Sequence, residues 1–155
     1  MAAGPFLFPD KAILNFETLA VLGLTTPFKV TLHAATWVPV PATDEVYADA
    51  TGELATAYGY TAGGVTLTGV TISQTAGITK FTAASAQTLW TAAGGSIPVW
   101  RYMVLRYAGT ISGKVEPIMG YCLGDSTGID AVAVAPPDRI IFTPNSLGIL
   151  SVQRA

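Results

Sequence analysis

Charge is scarce in this chain: Asp, Glu, Lys and Arg make up 12% of its 155 residues, where about a quarter is usual. The eight basic residues are dispersed, no two of them adjacent, and the formal net charge is −2. Nucleic-acid binding needs clustered Lys and Arg to neutralise phosphates, so no nucleic-acid partner is expected. Cysteine and histidine occur once each, as Cys122 and His33. One thiol permits neither an intramolecular disulfide nor a cysteine-based metal site. Long apolar runs are also missing. The longest, residues 99–107 and 131–137, fall well short of the ~20 that span a bilayer, and Arg101, Arg106 and prolines interrupt them. No membrane partner is expected. The first residues lack the positive stretch of a secretory leader, so synthesis in the cytoplasm is expected.

What the chain has instead is apolar surface. Half of its residues are hydrophobic and the mean hydropathy is +0.47. Without a membrane, such a chain buries that surface in its own core or against other subunits. With so few charges to cover the outside, loss of surface to an assembly, a homo-oligomer included, is the expectation. The length suits one domain.

Periodicity divides the chain. Residues 1–9 read as an extended arm carrying Pro5, Phe6, Leu7 and Phe8. A helix is expected over residues 10–22, where Ile13, Phe16, Leu19 and Ala20 share a face. Asp10 suits its N-cap and Gly23 its C′ position. After Pro27 the period becomes two: Phe28, Val30 and Leu32 form a buried face, opposite Lys29, Thr31 and His33. Residues 37–41 are a proline-rich crossing, and 43–60 a long acidic loop with one helical turn. Strands are expected over 65–68, 70–73, 79–82, 88–91, 99–107, 115–123, 131–135, 139–143 and 148–152. Gly69 bends the chain between the first two. Turns fall at Gly94-Gly95, Ser112-Gly113, Gly124-Asp125, Pro136-Pro137 and Pro144-Asn145. Residues 100–106 are apolar on both faces, as a central strand requires. Strands spaced about 8–12 residues apart indicate an all-β, jelly-roll-like β-sandwich over residues 10–155, with one short N-terminal α-helix.

No catalytic, cofactor-binding or metal-binding residue emerges, so a non-enzymatic protein is expected. His33 reads as a surface or sheet-edge residue, and Cys122, between Tyr121 and Leu123, as a buried inert thiol. Asp44, Glu45, Asp49 and Glu53 read as solvated loop acids. Neither they nor Asp125 and Asp130 match a calcium loop. A weak calcium site in residues 124–130 is the one metal idea these acids allow. Gly63-Gly64 and Gly94-Gly95 lack the residues of a phosphate-binding loop.

Contact residues are easier to find than chemical ones. An apolar arm docks either on its own domain or on a neighbour. Trp37 and Pro39 mark either an interface anchor or a cap on the sandwich. Trp37, Tyr58 and Tyr60 would suit stacking on sugar rings if exposed.

One resemblance runs along most of the chain, roughly residues 11–152. A lysine-bearing helix leads into Lys29-Val30-Thr31-Leu32, then Asp44-Glu45-Val46-Tyr47 and Gly52-Glu53-Leu54-Ala55-Thr56-Ala57-Tyr58-Gly59-Tyr60. Gly63-Gly64-Val65-Thr66-Leu67-Thr68-Gly69-Val70, Phe81-Thr82-Ala83 and Leu89-Trp90-Thr91-Ala92 follow. Trp100-Arg101-Tyr102-Met103-Val104-Leu105, Pro117-Ile118-Met119-Gly120-Tyr121 and Gly148-Ile149-Leu150 complete the order. The chain thereby resembles the small structural proteins encoded among the virion genes of tailed bacteriophages and prophages. The resemblance implies a virion component, a capsid decoration or cement protein bound to the major capsid protein as a dimer or trimer. A tail, head–tail joining or fibre-associated protein with a receptor- or carbohydrate-binding role is the alternative. It implies no catalytic residues. On this reading the arm becomes ordered on binding, with Phe6 and Phe8 filling pockets on the shell or a sister subunit.

Overall fold

The computed structural model describes residues 3–25, 27–75, 78–84, 87–144 and 150–153. Helix α1 (Ala12–Leu22) precedes β1 (Phe28–His33), and a 3-10 turn (Tyr47–Asp49) lies in the long loop that follows. Next come β2 (Val65–Thr66), β3 (Thr71–Thr75), β4 (Ile78–Thr82) and β5 (Gln87–Thr91). The chain continues through β6 (Tyr102–Tyr107), β7 (Thr110–Ile111), β8 (Lys114–Val115), β9 (Ile118–Leu123), β10 (Arg139–Phe142) and β11 (Leu150–Gln153). Among the described residues the strands form four antiparallel sheets, with orders β2-β1-β6-β9, β11-β4-β3, β10-β5 and β7-β8. The architecture is therefore antiparallel β with one short helix. No helix among the described residues is long and apolar enough to cross a membrane.

Strand β6 is central, as its two apolar faces require, and every one of its residues is buried. Its partner β1 runs in unbroken register from Phe28 opposite Tyr107 to His33 opposite Tyr102. One face of this sheet (Phe28, Val30, Leu32, Met103, Leu105) packs with Phe16, Leu19, Phe81, Trp90, Ile140 and Phe142 in the larger core. The other face was expected to be open at β1, yet Thr31 and His33 are fully buried. The long loop causes the difference. It lays Trp37 and Ala50 against Tyr102, Val104, Ile118 and Tyr121, making a second, smaller core. Opposite Leu105–Arg106 the register of β9 slips, with Gly120 facing Leu105 and Ile118 facing Arg106. Met119 is the extra residue of this bulge and is buried in the larger core.

The helix departs from expectation at its start and on its face. Lys11, not Asp10, holds the N-cap position, without a side-chain cap. Asp10 instead donates its backbone amide to Pro41 O at 3.1 Å. The buried stripe is Ala12, Phe16 and Leu19 with Asn15, leaving Ile13 exposed. A helix that is apolar nearly all round offers several such stripes, and only tertiary packing selects one. Its end follows the sequence: Gly23 turns left-handed at φ 65°, and Leu24 N returns to Leu19 O at 3.0 Å.

Several strands are shorter than their patterns. Residues 115–123 break at Pro117, which has no amide to donate, giving β8 and β9. Residues 131–135 form no strand; Ala131 bridges Trp100 and Val134 bridges Ile97. Residues 99–101 likewise precede β6, not join it. Gly69, at φ 60°, turns the chain from β2 in one sheet to β3 in another. Residues 148 and 149 of the last expected strand, and Asn145 of the turn before it, lie outside the described residues.

Candidate functional site

The N-terminal arm docks on its own domain. Residues 3–9 run along β9, at the edge of the four-stranded sheet, where Leu7 and Tyr121 exchange main-chain bonds of 2.7 and 2.9 Å. Gly4 N adds a bond of 3.0 Å to Leu123 O. Phe6 and Phe8 are partly buried against the larger core, Phe6 edge-on to Phe142 and Phe8 edge-on to Phe16. Gly120 makes room for both: a Cβ there would stand 3.1 Å from the Phe6 ring and 3.2 Å from the Phe8 ring. Pro5 and Leu7 face outward. Residues 1 and 2 of the arm lie outside the described residues.

Trp37 and Pro39 occupy the crossing over the second sheet face. Trp37 is only 4% exposed, its ring edge-on to Tyr102 and Tyr121. Its Nε1 donates to Asp44 Oδ2 at 3.1 Å, and Asp44 also accepts from Val40 N at 2.9 Å. Arm and crossing thus meet at Tyr121, through the main chain of Leu7 and the ring of Trp37. Pro39 is half-buried, while Val38 and Val40 beside it are exposed. Of the three aromatics suited to sugar stacking, Trp37 and Tyr60 are buried and Tyr58 alone is exposed.

The acids expected to be solvated are instead structural acceptors. Glu53 takes bonds from the Tyr47 hydroxyl, from the Tyr60 hydroxyl at 2.7 Å and from Gly63 N at 2.7 Å. Burial, with Glu53 as acceptor, raises both tyrosine pKa values. Asp49 accepts from the amides of Glu45 and Val46, starting the 3-10 turn. Glu45 pairs with Lys114 at 2.6 Å, which lowers its own pKa, and with Lys11 at 3.9 Å. Arg106, buried in β6, pairs with Glu116, donates to Gly63 O at 2.9 Å and stacks 4.0 Å over the Tyr47 ring. The signal for this network is a polar residue inside an apolar strand, Arg106, with tyrosines and an acid at short spacing in the loop. Their meeting depends on how the loop crosses the sheet.

His33 is not at an open edge; in β1 it faces Tyr102 of β6 on one side and bridges Glu53 of the long loop on the other, and it is 0% exposed. Its Nδ1 donates to Thr51 O at 2.9 Å, which leaves Nε2 to accept from Thr31 Oγ1 at 2.9 Å. Desolvation by burial lowers its pKa from the ordinary 6.5, so the imidazole is neutral in the fold. Above 6.5 the stability is fully present; as pH falls through the lowered value, the unfolded chain takes up the proton first and stability is lost. Urea midpoints are expected to decline from about pH 7 to about pH 5, and His33→Gln is expected to flatten that decline. An unchanged slope in the variant would assign the effect elsewhere.

The other chemical candidates are occupied by local tasks. Burial pushes the Cys122 thiol up to about 12, so it is protonated at neutral pH. In residues 124–130, Asp125 Oδ1 accepts from Thr127 N and Oγ1, while Asp130 pairs with Arg101 Nε at 2.7 Å. Among the described residues no three His, Cys, Asp or Glu side chains gather as a metal site. No family model, curated protein or solved structure matches the chain.

Proposed function

We propose that this chain is a non-enzymatic structural protein of a tailed-phage virion, a decoration subunit bound to the outer capsid shell. The observation that carries the reading is uncovered apolar surface on α1, where Ile13, Leu14, Val21 and Leu22 face outward, Val21 at 85% exposure. A solitary soluble domain rarely leaves such a face bare, whereas a subunit of a protein lattice covers it. The sequence resemblance supports the same placement. So does the use of the acids: those of residues 44–53 act within the fold, as acceptors or ion-pair partners. On this reading the finer architecture is a β-sandwich, with the four-stranded sheet as one layer and strands of two separate sheets, β4 and the β5–β10 pair, meeting it across the larger core.

The test is to make the helix face polar without touching the core. The double substitution Leu14→Gln, Val21→Lys alters exposed positions, so each is expected to change stability by no more than about 0.5 kcal/mol. Incorporation into virions, measured by mass spectrometry, is expected to fall at least about tenfold, the equivalent of ~1.4 kcal/mol of contact. Undiminished incorporation would show that this face is not the contact.

A further inference from the structure

We infer that the arm is an exchangeable strand, and that the groove over Gly120 accepts residues 3–8 of a second copy of this chain. The groove is matched to this one segment. Its edge supplies the carbonyl of Leu123 and both main-chain groups of Tyr121, and its floor lacks a Cβ where Phe6 and Phe8 rest. A second copy brings the identical strand, so every bond and ring contact made within the chain is remade between chains. Which partner wins is then a matter of effective concentration alone.

The connection is built to allow it. Pro9 belongs to the helix start, since it is buried and its carbonyl accepts from Ala12 N at 2.9 Å, and that start is held apart from residues 3–8 by Asp10 N on Pro41 O at 3.1 Å and Lys11 beside Glu45 at 3.9 Å. The arm can therefore leave while α1 stays seated, pivoting at Pro9. Among the described residues, its attachment to the sheet consists of three main-chain bonds and two partly buried rings, an element that opens locally before the central sheet does. Once it leaves, β9 presents a bare strand edge, which a matching strand fills by β-augmentation. A lattice that holds copies side by side raises the effective concentration that favours exchange. The inference stands whether or not that lattice is a capsid.

Two full-length variants test it in complement. Gly120→Leu fills the groove floor, so that chain can donate its arm and cannot seat one. Phe6→Ser, Phe8→Ser empties the arm of its rings, so that chain can accept an arm and cannot donate one. Each alone is expected to run as a monomer, and the equimolar mixture as a one-to-one heterodimer by light scattering and native mass spectrometry. Monomers in the mixture, with both variants folded by circular dichroism, would overturn the inference.

Should Gly120→Leu fail to fold, cysteine pairs decide it in a Cys122→Ser background. Leu7→Cys on one chain and Tyr121→Cys on another occupy a pair that exchanges both main-chain bonds, a separation a disulfide can span. Oxidation of the mixture is expected to link the two chains. A closed bond in the same-chain double variant, with no link between chains in the mixture, would confine the arm to its own domain.

Discussion

Glu53→Ala is expected to lower the unfolding free energy by about 3–5 kcal/mol. The carboxylate is the common acceptor for the Tyr47 hydroxyl, the Tyr60 hydroxyl and Gly63 N. A bond to a charged acceptor contributes about 1.5–3 kcal/mol, and a buried donor left without one costs its desolvation besides. Tyr60 is buried and its oxygen in turn accepts from Leu32 N in β1 at 3.1 Å, so the disturbance reaches the central sheet. Gly63 is coupled as well, because Arg106 Nη2 donates to its carbonyl. Glu53→Gln keeps one oxygen acceptor and is expected to lose roughly half as much. Urea denaturation measures both. A loss below about 1 kcal/mol for Glu53→Ala would mean that water replaces the carboxylate and that the network is ornamental.

Trp37→Ala is expected to cost a similar ~3–5 kcal/mol, the usual range for truncating a buried aromatic. The indole fills the second core between His33, Tyr102 and Tyr121, and ties the loop down through Asp44. This result separates the two roles its sequence position suggested. An interface anchor would leave the isolated chain's stability intact and weaken association. A core residue does the reverse, lowering the urea midpoint before any partner is added. Trp37→Phe restores part of the volume without the Nε1 donor and is expected to recover more than half of the loss.

Legibility in the sequence followed the range of the interaction. The two-sided apolar pattern of residues 100–106 marks a central strand because both faces are written in consecutive residues. Gly23 ends α1 because its left-handed conformation is a local property. Neither the buried stripe of α1 nor the burial of His33 is local in that sense. The stripes through Ile13 and through Ala12 share Phe16 and Leu19, and the packing of the helix on the sheets buries Ala12 and leaves Ile13 exposed. His33 looks like the polar side of an amphipathic strand until the loop carrying Trp37 and Ala50 closes over it. Glu53 is a loop acid in sequence and a three-donor acceptor in space, because Gly63 and Tyr47 reach it from opposite directions along the chain. The arm was visible as an apolar, proline-stiffened segment. Its seat was not, since the absence of a Cβ at Gly120 matters only when Phe6 and Phe8 lie above it.

The most direct test of the virion reading is the copy number of this protein in purified virions, counted by quantitative mass spectrometry against the major capsid protein. The account predicts one copy per shell subunit, or a simple fraction of that set by lattice symmetry. A mere handful of copies would move the protein to the tail, the joining complex or a fibre. Its absence from virions would contradict the account altogether.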